Sequence, residues 1–319
     1  MFNNKFINGL QENQIEKIRE CPKGDLHNHI SRGGNINDYL HYFGEKHIDL
    51  PSVFEGLDDM EKWYTENIKF RFTSEMYMKR IIWGFKQMQR DGIKLAIATF
   101  GLSELNEFES FEKFIEFIKK IKKQIIPDTV LIPELGLPSD CDIKSIVKLC
   151  TELFEVNFFK SIDVSGNEMS NPIRYLPVYE LAQKYGLRKR AHVGEFGDSK
   201  IIREAIKILA LDEVNHGISA VYDMELVKMI IDRNIRLNIC PASNIKLGRC
   251  KGYKDHPIRI LFNSGVDITI NSDDMLIFNV SVSELYLQLY NNGIFDEYEL
   301  DYLRMKSLQA KNISCIEVN

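Results

Sequence analysis

The sequence predicts an α/β fold in which eight parallel strands, each followed by helical structure, close into a (β/α)₈ TIM barrel. Short apolar segments that suit buried strands alternate with segments in which apolar residues recur every three or four positions, as on one face of a helix. The strand segments number eight, and eight parallel strands are what this barrel needs to close. The predicted strands are residues 24–30, 93–100, 129–135, 158–164, 188–192, 213–216, 235–239 and 266–271.

The predicted helices follow from the same periodicity and from residues that end helices. They are residues 108–123, 142–154, 172–185, 199–209, 224–232 and 256–263. Gly186, Gly265 and the Asp91-Gly92 pair each stand between a helical segment and the next strand, where glycine commonly ends a helix. An open doubly wound sheet would usually carry a glycine-rich phosphate loop after its first strand. Here that strand ends in His27-Asn28-His29-Ile30, which favours the barrel.

A long connection separates the first predicted strand from the second. It covers about residues 31–90, contains both tryptophans, Trp63 and Trp83, and is rich in other aromatic residues. A long structured excursion on this face of a barrel suits a lid over a pocket. We therefore predict one barrel domain, residues 1–319, with a helical lid insertion at about 31–90. The alternative for this segment is an accessory helical hairpin with its own small core, and the two are compatible.

Composition limits the classes of function. The hydrophobic fraction of 44% and the charged fraction of 27% are those of an ordinary soluble globular protein. A formal net charge of −5 argues against nucleic acid as the main partner. Residues 1–20 lack the apolar core of a signal peptide, and no segment approaches the roughly 18 apolar residues of a membrane span. The expected partner is a small molecule rather than a membrane, and the oligomeric state is left open.

The cysteine pattern points to a reducing compartment. The six cysteines are scattered without a C-x-x-C pair, at Cys21, Cys141, Cys150, Cys240, Cys250 and Cys315. That pattern suits reduced thiols better than a disulfide framework or a cysteine-based zinc site. We therefore expect a cytoplasmic protein.

The first predicted strand ends in a histidine pair. Residues i and i+2 of a strand point to the same side, so the side chains of His27 and His29 can converge on one ion inside the mouth of the barrel. Taken alone, an H-x-H pair is a weak signal for a metal site.

The later strands strengthen this interpretation. His192 ends the fifth predicted strand, His216 ends the sixth, and Asp273 and Asp274 follow the eighth. Barrel enzymes assemble their active sites at this end of the strands. Four of the seven histidines fall there, whereas His41, His47 and His256 fall on helices or helix starts and are interpreted as surface or packing residues.

These residue types suit a catalytic metal centre. Neutral imidazoles and a carboxylate are ligands that zinc prefers, and a catalytic site leaves one position for water. A bound zinc ion lowers the pKa of water from about 16 to about 7, which provides hydroxide at neutral pH. Glu195 and His216 add the carboxyl and the imidazole that acid–base catalysis around that hydroxide requires.

Seven segments in this order resemble the adenosine deaminase family, within the wider amidohydrolase barrels. Together they extend from about residue 20 to 310. The segments are Pro22-Lys23-Gly24-Asp25-Leu26-His27-Asn28-His29, Ser165-Gly166-Asn167-Glu168, His192-Val193-Gly194-Glu195, Asn215-His216-Gly217, Cys240-Pro241-Ala242-Ser243-Asn244, His256-Pro257 and Ser272-Asp273-Asp274.

The resemblance implies a metal site with one zinc ion per chain. The implied zinc ligands are His27, His29, His192 and Asp273. Binuclear amidohydrolases usually carry a bridging lysine after the fourth strand, whereas Val164-Ser165-Gly166 stands there in this chain, which favours a single metal.

The resemblance also implies catalytic and substrate-binding roles. Glu195 matches the acid that protonates purine N1, and His216 matches the residue that orients and helps deprotonate the metal-bound water, with Asp273 as a further catalytic group. The Gly166 amide matches a donor to N3, and Asp274 matches the group that hydrogen-bonds N7. His29 and Ser31 complete the expected substrate contacts. Two alternatives stay open: a merely orienting role for Glu195, and His216 as a further metal ligand.

The chain departs from the family pattern just after the first motif. Nucleoside-specific members continue with an apolar residue, an aspartate that contacts the ribose 5′-hydroxyl, and a glycine. Here Ser31 replaces the aspartate and Arg32 follows it. Ser31 can still hydrogen-bond a hydroxyl, and Arg32 can pair with an anionic 5′-substituent or, alternatively, face solvent or a carboxylate of the lid. The substitution of Met275 for the usual proline is expected to matter little.

The resemblance thus implies zinc-dependent hydrolytic deamination of adenosine or 2′-deoxyadenosine to inosine or 2′-deoxyinosine and ammonia. The alternative within the same chemistry is a modified adenine nucleoside or nucleotide, 5′-substituted or N6-methylated. A non-purine amidohydrolase is a further alternative, which the purine-reading pair Gly166 and Asp274 disfavours. A non-enzymatic barrel is disfavoured because none of the implied ligand and acid positions is missing.

Overall fold

Eight parallel strands follow one another around a barrel in chain order, and each is hydrogen-bonded to the next. The computed structural model describes residues 2–166 and 169–309. The strands are β1 (Lys23–His29), β2 (Ile93–Gly101), β3 (Val130–Pro138), β4 (Ser161–Ser165), β5 (Arg188–Val193), β6 (Glu213–His216), β7 (Arg236–Ile239) and β8 (Asp267–Ile270). A parallel bridge between Asn28 and Asp273 connects the last strand to the first. The predicted (β/α)₈ fold class is confirmed.

The strand boundaries differ from the predicted ones by up to three residues, at the end of β3 and at the start of β4. Strand β4 begins at Ser161, whereas the apolar pattern predicted it from residue 158. Phe158 and Phe159 are buried but lie before the strand, packed against helix residues Phe111 and Phe114 with ring centroids 5.6 Å apart for both Phe111–Phe159 and Phe114–Phe158. A run of apolar residues indicates that a segment is buried, but not where a strand begins. Here the buried segment begins before the strand does.

Helices surround the barrel, and several that were not predicted cover its ends. They are α1 (Asn4–Gln11), α2 (Ile15–Arg19), α3 (Ile36–Phe43), α4 (Leu57–Asn67), α5 (Ser74–Arg90), α6 (Phe111–Ile125), α7 (Ile143–Glu155), α8 (Leu176–Lys184), α9 (Ser199–Leu209), α10 (Met224–Asp232), α11 (Pro241–Lys246), α12 (Ile258–Asn263), α13 (Met275–Phe278), α14 (Val282–Asn291) and α15 (Glu297–Ser307). Within the described residues, no helix combines the length and apolar composition of a membrane span.

The connection between β1 and β2 is helical, as predicted, and contains α3, α4 and α5. Its buried side chains, among them Tyr39, Met60, Tyr64 and Trp83, belong to the same continuous apolar core as the barrel. The segment is therefore packed as part of the domain rather than as a hairpin with a separate core. That it opens and closes as a lid stays a prediction.

A fully buried charge network fills the barrel beneath the strand ends. The guanidinium of Arg190 on β5 donates to Glu134 Oε2 at 2.6 Å and to Asn215 Oδ1 at 2.7 Å, and its Nε lies 3.2 Å from Glu213 Oε2. The same guanidinium donates to the carbonyl of Leu26. Because Leu26 precedes His27 on β1 and Arg190 precedes His192 on β5 by two residues, this network fixes two strands that carry predicted site residues.

Replacing Glu134 with alanine is expected to lower the free energy of unfolding by about 3 kcal/mol, because it leaves a buried guanidinium without one of its carboxylates. Chemical denaturation monitored by circular dichroism measures this. Glu116→Ala, which removes a carboxylate paired at 2.8 Å with Lys113 on the surface, is the control and should change stability little. Equal effects of the two variants would show that the buried network does not stabilise the barrel.

Candidate active site

Four histidines and one aspartate converge at the carboxyl ends of the strands. His27 and His29 lie on β1, His192 on β5 and His216 at the end of β6, and Asp273 follows β8. The ring centroids of His27 lie 5.2, 4.5 and 5.2 Å from those of His29, His192 and His216, respectively. The alternation of side chains along β1 turns both of its imidazoles inward, as the sequence predicted.

The distances between their polar atoms suit a shared cation. His29 Nε2 lies 3.3 Å from His192 Nε2, and Asp273 Oδ1 lies 3.7 Å from His27 Nε2 and 3.6 Å from His29 Nε2. Two ligands of one zinc ion, each about 2.1 Å from the metal at near-tetrahedral angles, are about 3.4 Å apart. The observed spacing is close to that value.

Unsatisfied buried atoms support the same interpretation. The side chains of His27 and His216 are fully buried. Within the described residues, both ring nitrogens of His27 and the Nε2 atom of His216 lack a hydrogen-bond partner. Buried polar atoms of native proteins are normally paired, and a bound ion is one of the partners that satisfies such atoms. The residues present therefore fit a divalent cation with nitrogen and oxygen ligands.

Burial and neighbouring like groups shift the pKa values of these side chains in the same direction, toward the neutral form. Burial, with the neighbouring imidazoles, lowers the pKa of His27 and of His216 well below the ordinary value, so both rings are neutral and can act as ligands or proton acceptors. Burial and the adjacent Asp274 raise the pKa of Asp273. A cation between these groups would offset the repulsion between the two carboxylates.

Asp163 orients His192. Its Oδ2 lies 2.8 Å from His192 Nδ1, which leaves Nε2 of the same ring facing His29. Burial opposes the charged form of His192, but the charge of Asp163 and its hydrogen bond outweigh burial and raise the pKa of His192 to about 9. A carboxylate behind a histidine ligand is the usual partner that fixes the ring and increases its basicity.

Glu195 and His216 belong to one hydrogen-bonded cluster. Glu195 Oε1 lies 3.3 Å from His216 Nδ1 and accepts a hydrogen bond from Asn244 Nδ2 at 2.9 Å. Asn244 Nδ2 also lies 3.2 Å from His216 Nδ1, and Asn244 Oδ1 lies 3.2 Å from His256 Nε2. Asn244, to which the sequence analysis assigned no catalytic role, therefore contacts both predicted catalytic side chains. His256, interpreted as a surface or packing residue, is buried and holds this asparagine in place.

Two of these residues have an unusual backbone conformation. His216 has φ of 62° and Asp273 has φ of 58°, in the left-handed region that residues with a β-carbon rarely adopt. Such strain costs on the order of 1–3 kcal/mol and concentrates at functional sites. It turns both side chains toward the centre of the barrel just where β6 and β8 end.

A cavity of about 290 Å³ lies above this cluster. The described part of its wall combines the site residues above with residues of the insertion, of the end of β3 and of the segments that follow β2 and β4. The wall residues are His29, Ser31, Arg32, Leu57, Met60, Glu61, Thr99, Gly101, Leu102, Ser103, Glu104, Gly136, Leu137, Pro138, Ser165, Gly166, His192, Glu195, His216, Leu247, Asp273, Asp274 and Phe278. Gly166 has φ of 114°. Asn167 and Glu168 of its motif lie outside the described residues.

Ser31 and Arg32 both contact carboxylates at the wall of the cavity. Ser31 Oγ donates to Glu104 Oε1 at 2.5 Å. Arg32 binds the two carboxylate oxygens of Glu61 at 2.6 and 3.1 Å and also donates to Asp274 Oδ2 at 2.9 Å. Arg32 therefore faces a carboxylate of the insertion, which was one of the two possibilities drawn from the sequence.

Adding Zn²⁺ to metal-free protein is expected to raise its melting temperature by several degrees, because the ion binds the folded state alone. Thermal unfolding with increasing Zn²⁺ measures this. Mg²⁺, which prefers oxygen ligands in octahedral geometry, is the control and should give no shift at the same concentrations. Equal shifts with both ions, or none with Zn²⁺, would contradict a nitrogen-rich metal site.

Comparisons with known proteins agree with this arrangement. The sequence model of the family described as adenosine deaminase matches residues 137–316. A relative from Treponema pallidum, provisionally named adenosine/adenine deaminase, is 26% identical over 292 residues, which cover 91% of this chain and 98% of the relative.

Solved structures share the fold. The adenine deaminase of Arthrobacter aurescens superposes with a TM-score of 0.77 at 20% identity, covering 91% of this chain and 94% of that one. The N6-methyl-AMP deaminase of Arabidopsis thaliana superposes with a TM-score of 0.75 at 16% identity, covering 94% and 96%.

Proposed function

The chain belongs to the adenosine deaminase family, and from that premise we propose that it deaminates adenosine and 2′-deoxyadenosine hydrolytically, to inosine or 2′-deoxyinosine and ammonia. One observation carries the proposal. The carboxyl of Glu195 and the imidazole of His216 lie 3.3 Å apart on the wall of a cavity whose inner end is lined by metal-ligand side chains. This arrangement offers a proton donor, a proton acceptor and a cation site around one reacting carbon.

His27, His29, His192 and Asp273 would hold one Zn²⁺ ion per chain. When bound, zinc supplies Lewis acidity, which makes water a nucleophile at neutral pH. The spacing of these side chains and the unsatisfied nitrogens of His27 support this assignment. If this assignment is right, a chelator should lower the deaminase activity, and added Zn²⁺ should restore it.

The protein's own groups would move the protons. His216, neutral because burial lowers its pKa, accepts a proton from the attacking water as the water oxygen adds to purine C6. Glu195 in its protonated form gives its proton to N1, which removes the charge that addition would otherwise build on the ring. His216 then passes the proton that it accepted to the amino nitrogen, the C6–N6 bond breaks, and ammonia leaves. The hydroxyl on C6 gives its proton to the Glu195 carboxylate as the carbonyl of the inosine product forms, which restores both catalytic groups.

Two further groups would fix the purine ring. The backbone amide of Gly166 lines the cavity and is assigned as donor to N3. Asp274 is assigned to the contact with N7, as the resemblance implies. Arg32 occupies Asp274 Oδ2, whereas Oδ1 has no partner among the described residues and is available for the purine.

The second candidate is free adenine as substrate. Relatives of similar architecture carry both names, adenosine/adenine deaminase in one and adenine deaminase in another. The family aspartate that contacts the ribose 5′-hydroxyl is replaced by Ser31 in this chain. Free adenine lacks the ribose and does not need that contact, so experiment must distinguish the nucleoside from the base. A 5′-phosphorylated substrate is less favoured, because Arg32 already binds Glu61 and Asp274.

The function is tested with purified, zinc-loaded protein. Adenosine, 2′-deoxyadenosine, adenine, 5′-methylthioadenosine and AMP are supplied separately, and loss of the adenine ultraviolet band and release of ammonia are followed. Faster conversion of the two nucleosides supports the proposal. Conversion of only adenine or only a 5′-modified compound keeps the mechanism and changes the substrate. No conversion of any of them by metal-loaded protein overturns the proposal.

The cytoplasm is the proposed location. The five cysteines within the described residues are free thiols, and four of them are buried. This is the state expected in a reducing compartment.

A further inference from the structure

We propose that Glu104 is a specificity-determining residue that accepts a hydrogen bond from a ribose hydroxyl, so that the site takes neutral adenine nucleosides and disfavours their 5′-phosphates. This inference rests on the proposed function and names the substrate class of the same site. Glu104 lies in the 3-10 segment Leu102–Glu107 that follows β2, outside every motif discussed above, and it lines the cavity.

Three neutral donors hold the carboxylate of Glu104. Ser31 Oγ donates to Oε1 at 2.5 Å, and the Tyr77 hydroxyl and the Gly101 amide donate to Oε2 at 3.0 and 2.9 Å. These bonds fix both oxygens, so little side-chain freedom is left to lose when a ligand binds. A carboxylate has about four acceptor sites, and these three bonds leave capacity for one more donor. A sugar hydroxyl that enters the cavity is such a donor.

The position of Glu104 explains how this chain supplies a carboxylate although Ser31 replaces the family aspartate. In the family pattern an aspartate at the position of Ser31 supplies a carboxylate to the sugar end of the site. Here the serine hydroxyl carries no charge, but it lies within hydrogen-bond distance of the Glu104 carboxylate, in the segment that follows β2. The negative acceptor is therefore supplied from a different part of the chain, next to the Ser31 hydroxyl.

The surrounding charges disfavour an anionic substituent. Glu61, Glu104 and Asp274 contribute three carboxylates to the cavity wall outside the predicted metal ligands and Glu195. The cation among the described wall residues at this end is Arg32, which already binds Glu61 and Asp274. A 5′-phosphate would add about two negative charges close to these carboxylates, in a partly enclosed site where repulsion is screened poorly.

The test combines variants with substrate analogues. Wild-type, Glu104→Gln and Glu107→Gln proteins, all zinc-loaded, are assayed for kcat/KM on adenosine, 5′-deoxyadenosine, 3′-deoxyadenosine and AMP. Glutamine keeps the shape and one acceptor oxygen but removes the charge. Glu107 is the matched control, since it lies in the same segment, is exposed, and bonds Ser74 rather than the cavity. Zinc content and melting temperature establish that each variant is folded.

We expect Glu104→Gln to lower kcat/KM for adenosine by about 10- to 100-fold, mainly through KM, as loss of a hydrogen bond to a charged group predicts. In the wild type, kcat/KM for one of the two deoxy analogues should be lower than that for adenosine by a similar factor. Glu104→Gln should lower kcat/KM for that analogue little further, and the hydroxyl that this analogue lacks is then the one that Glu104 binds. AMP should be a substrate at least about 100-fold poorer than adenosine in the wild type, and this difference should narrow in Glu104→Gln. Glu107→Gln should behave as wild type.

Several results would overturn the inference. Equal losses on adenosine and on both deoxy analogues would show that Glu104 does not contact the sugar. A wild-type enzyme that prefers AMP to adenosine would also overturn the inference. So would a wild-type enzyme whose kcat/KM is the same for adenosine and for both deoxy analogues. These two measurements use the wild type alone and do not depend on the folding of a variant. These outcomes all include deamination by the wild type and thus leave the proposed function standing. Absence of any deamination overturns the proposed function instead, and this inference with it.

Discussion

Glu195→Gln is expected to lower kcat by about 10²- to 10⁴-fold while the protein keeps its zinc, because an amide cannot deliver a proton to the purine ring. The side chain is nearly isosteric, and its oxygen can still accept the hydrogen bond from Asn244 that Glu195 Oε1 accepts at 2.9 Å. The structure around the site should therefore be unchanged. Since the proton is needed only as the transition state forms, kcat should fall far more than KM rises.

The measurement pairs steady-state kinetics with metal analysis. Glu180→Gln, on the exposed face of α8, is the matched control and should retain wild-type turnover and zinc. If Glu195→Gln retained near-normal kcat, Glu195 would be an orienting residue rather than the acid. If the variant lost its zinc as well, the carboxylate would have to be placed among the metal ligands.

Asp273→Ala is expected to lose zinc and activity together, with kcat/KM reduced by at least about 10³-fold. Its carboxylate faces three imidazoles, with Oδ1 3.7 Å from His27 Nε2 and 3.6 Å from His29 Nε2, and Oδ2 3.8 Å from His216 Nε2. Removing it deletes the negative ligand of the set. Its backbone has φ of 58°, which alanine tolerates less well than aspartate or asparagine, so part of the effect could be strain.

A second variant separates these causes. Asp273→Asn tolerates the backbone conformation and keeps the side-chain shape but removes the charge. Both variants should show reduced zinc by metal analysis, and Asp232→Ala, at the exposed end of α10, should not. Full zinc occupancy in Asp273→Asn with normal activity would remove Asp273 from the proposed ligand set.

The sequence predicted the groups whose placement depends on local geometry. A strand places residues two apart on one face, and a barrel brings the carboxyl ends of all its strands together, so the convergence of His27, His29, His192 and His216 follows from periodicity alone. The aspartate after β8 follows from the same rule. These side chains are positioned by the elements that carry them.

The remaining site residues depend on contacts between distant parts of the chain. Asp163 is ordinary within the apolar pattern of β4, and only the register of β4 against β5 places it 2.8 Å from His192. Glu104 and Glu61 lie in a short loop and in the insertion, where no periodicity relates them to a motif. His256 is buried, which agrees with the packing role that was one of its two predicted alternatives, but only the fold brings its Nε2 to 3.2 Å from Asn244 Oδ1.

The bridge between Asn28 and Asp273 has a consequence for how the molecule is held together. Within the described residues, regular pairing joins consecutive strands from β1 to β8, whereas β1 meets the segment after β8 at this isolated bridge, where the Asp273 amide donates to the His27 carbonyl at 3.1 Å. Side-chain hydrogen bonds add to the join, from the Leu26 amide to Asn271 Oδ1 at 2.8 Å and from the Ser272 hydroxyl to Asp25 Oδ2 at 2.5 Å. The join thus passes directly between proposed ligands of the two strands. An ion bound by these ligands would hold β1 to the segment after β8. The same ion would then take part in the reaction and stabilise the closed barrel.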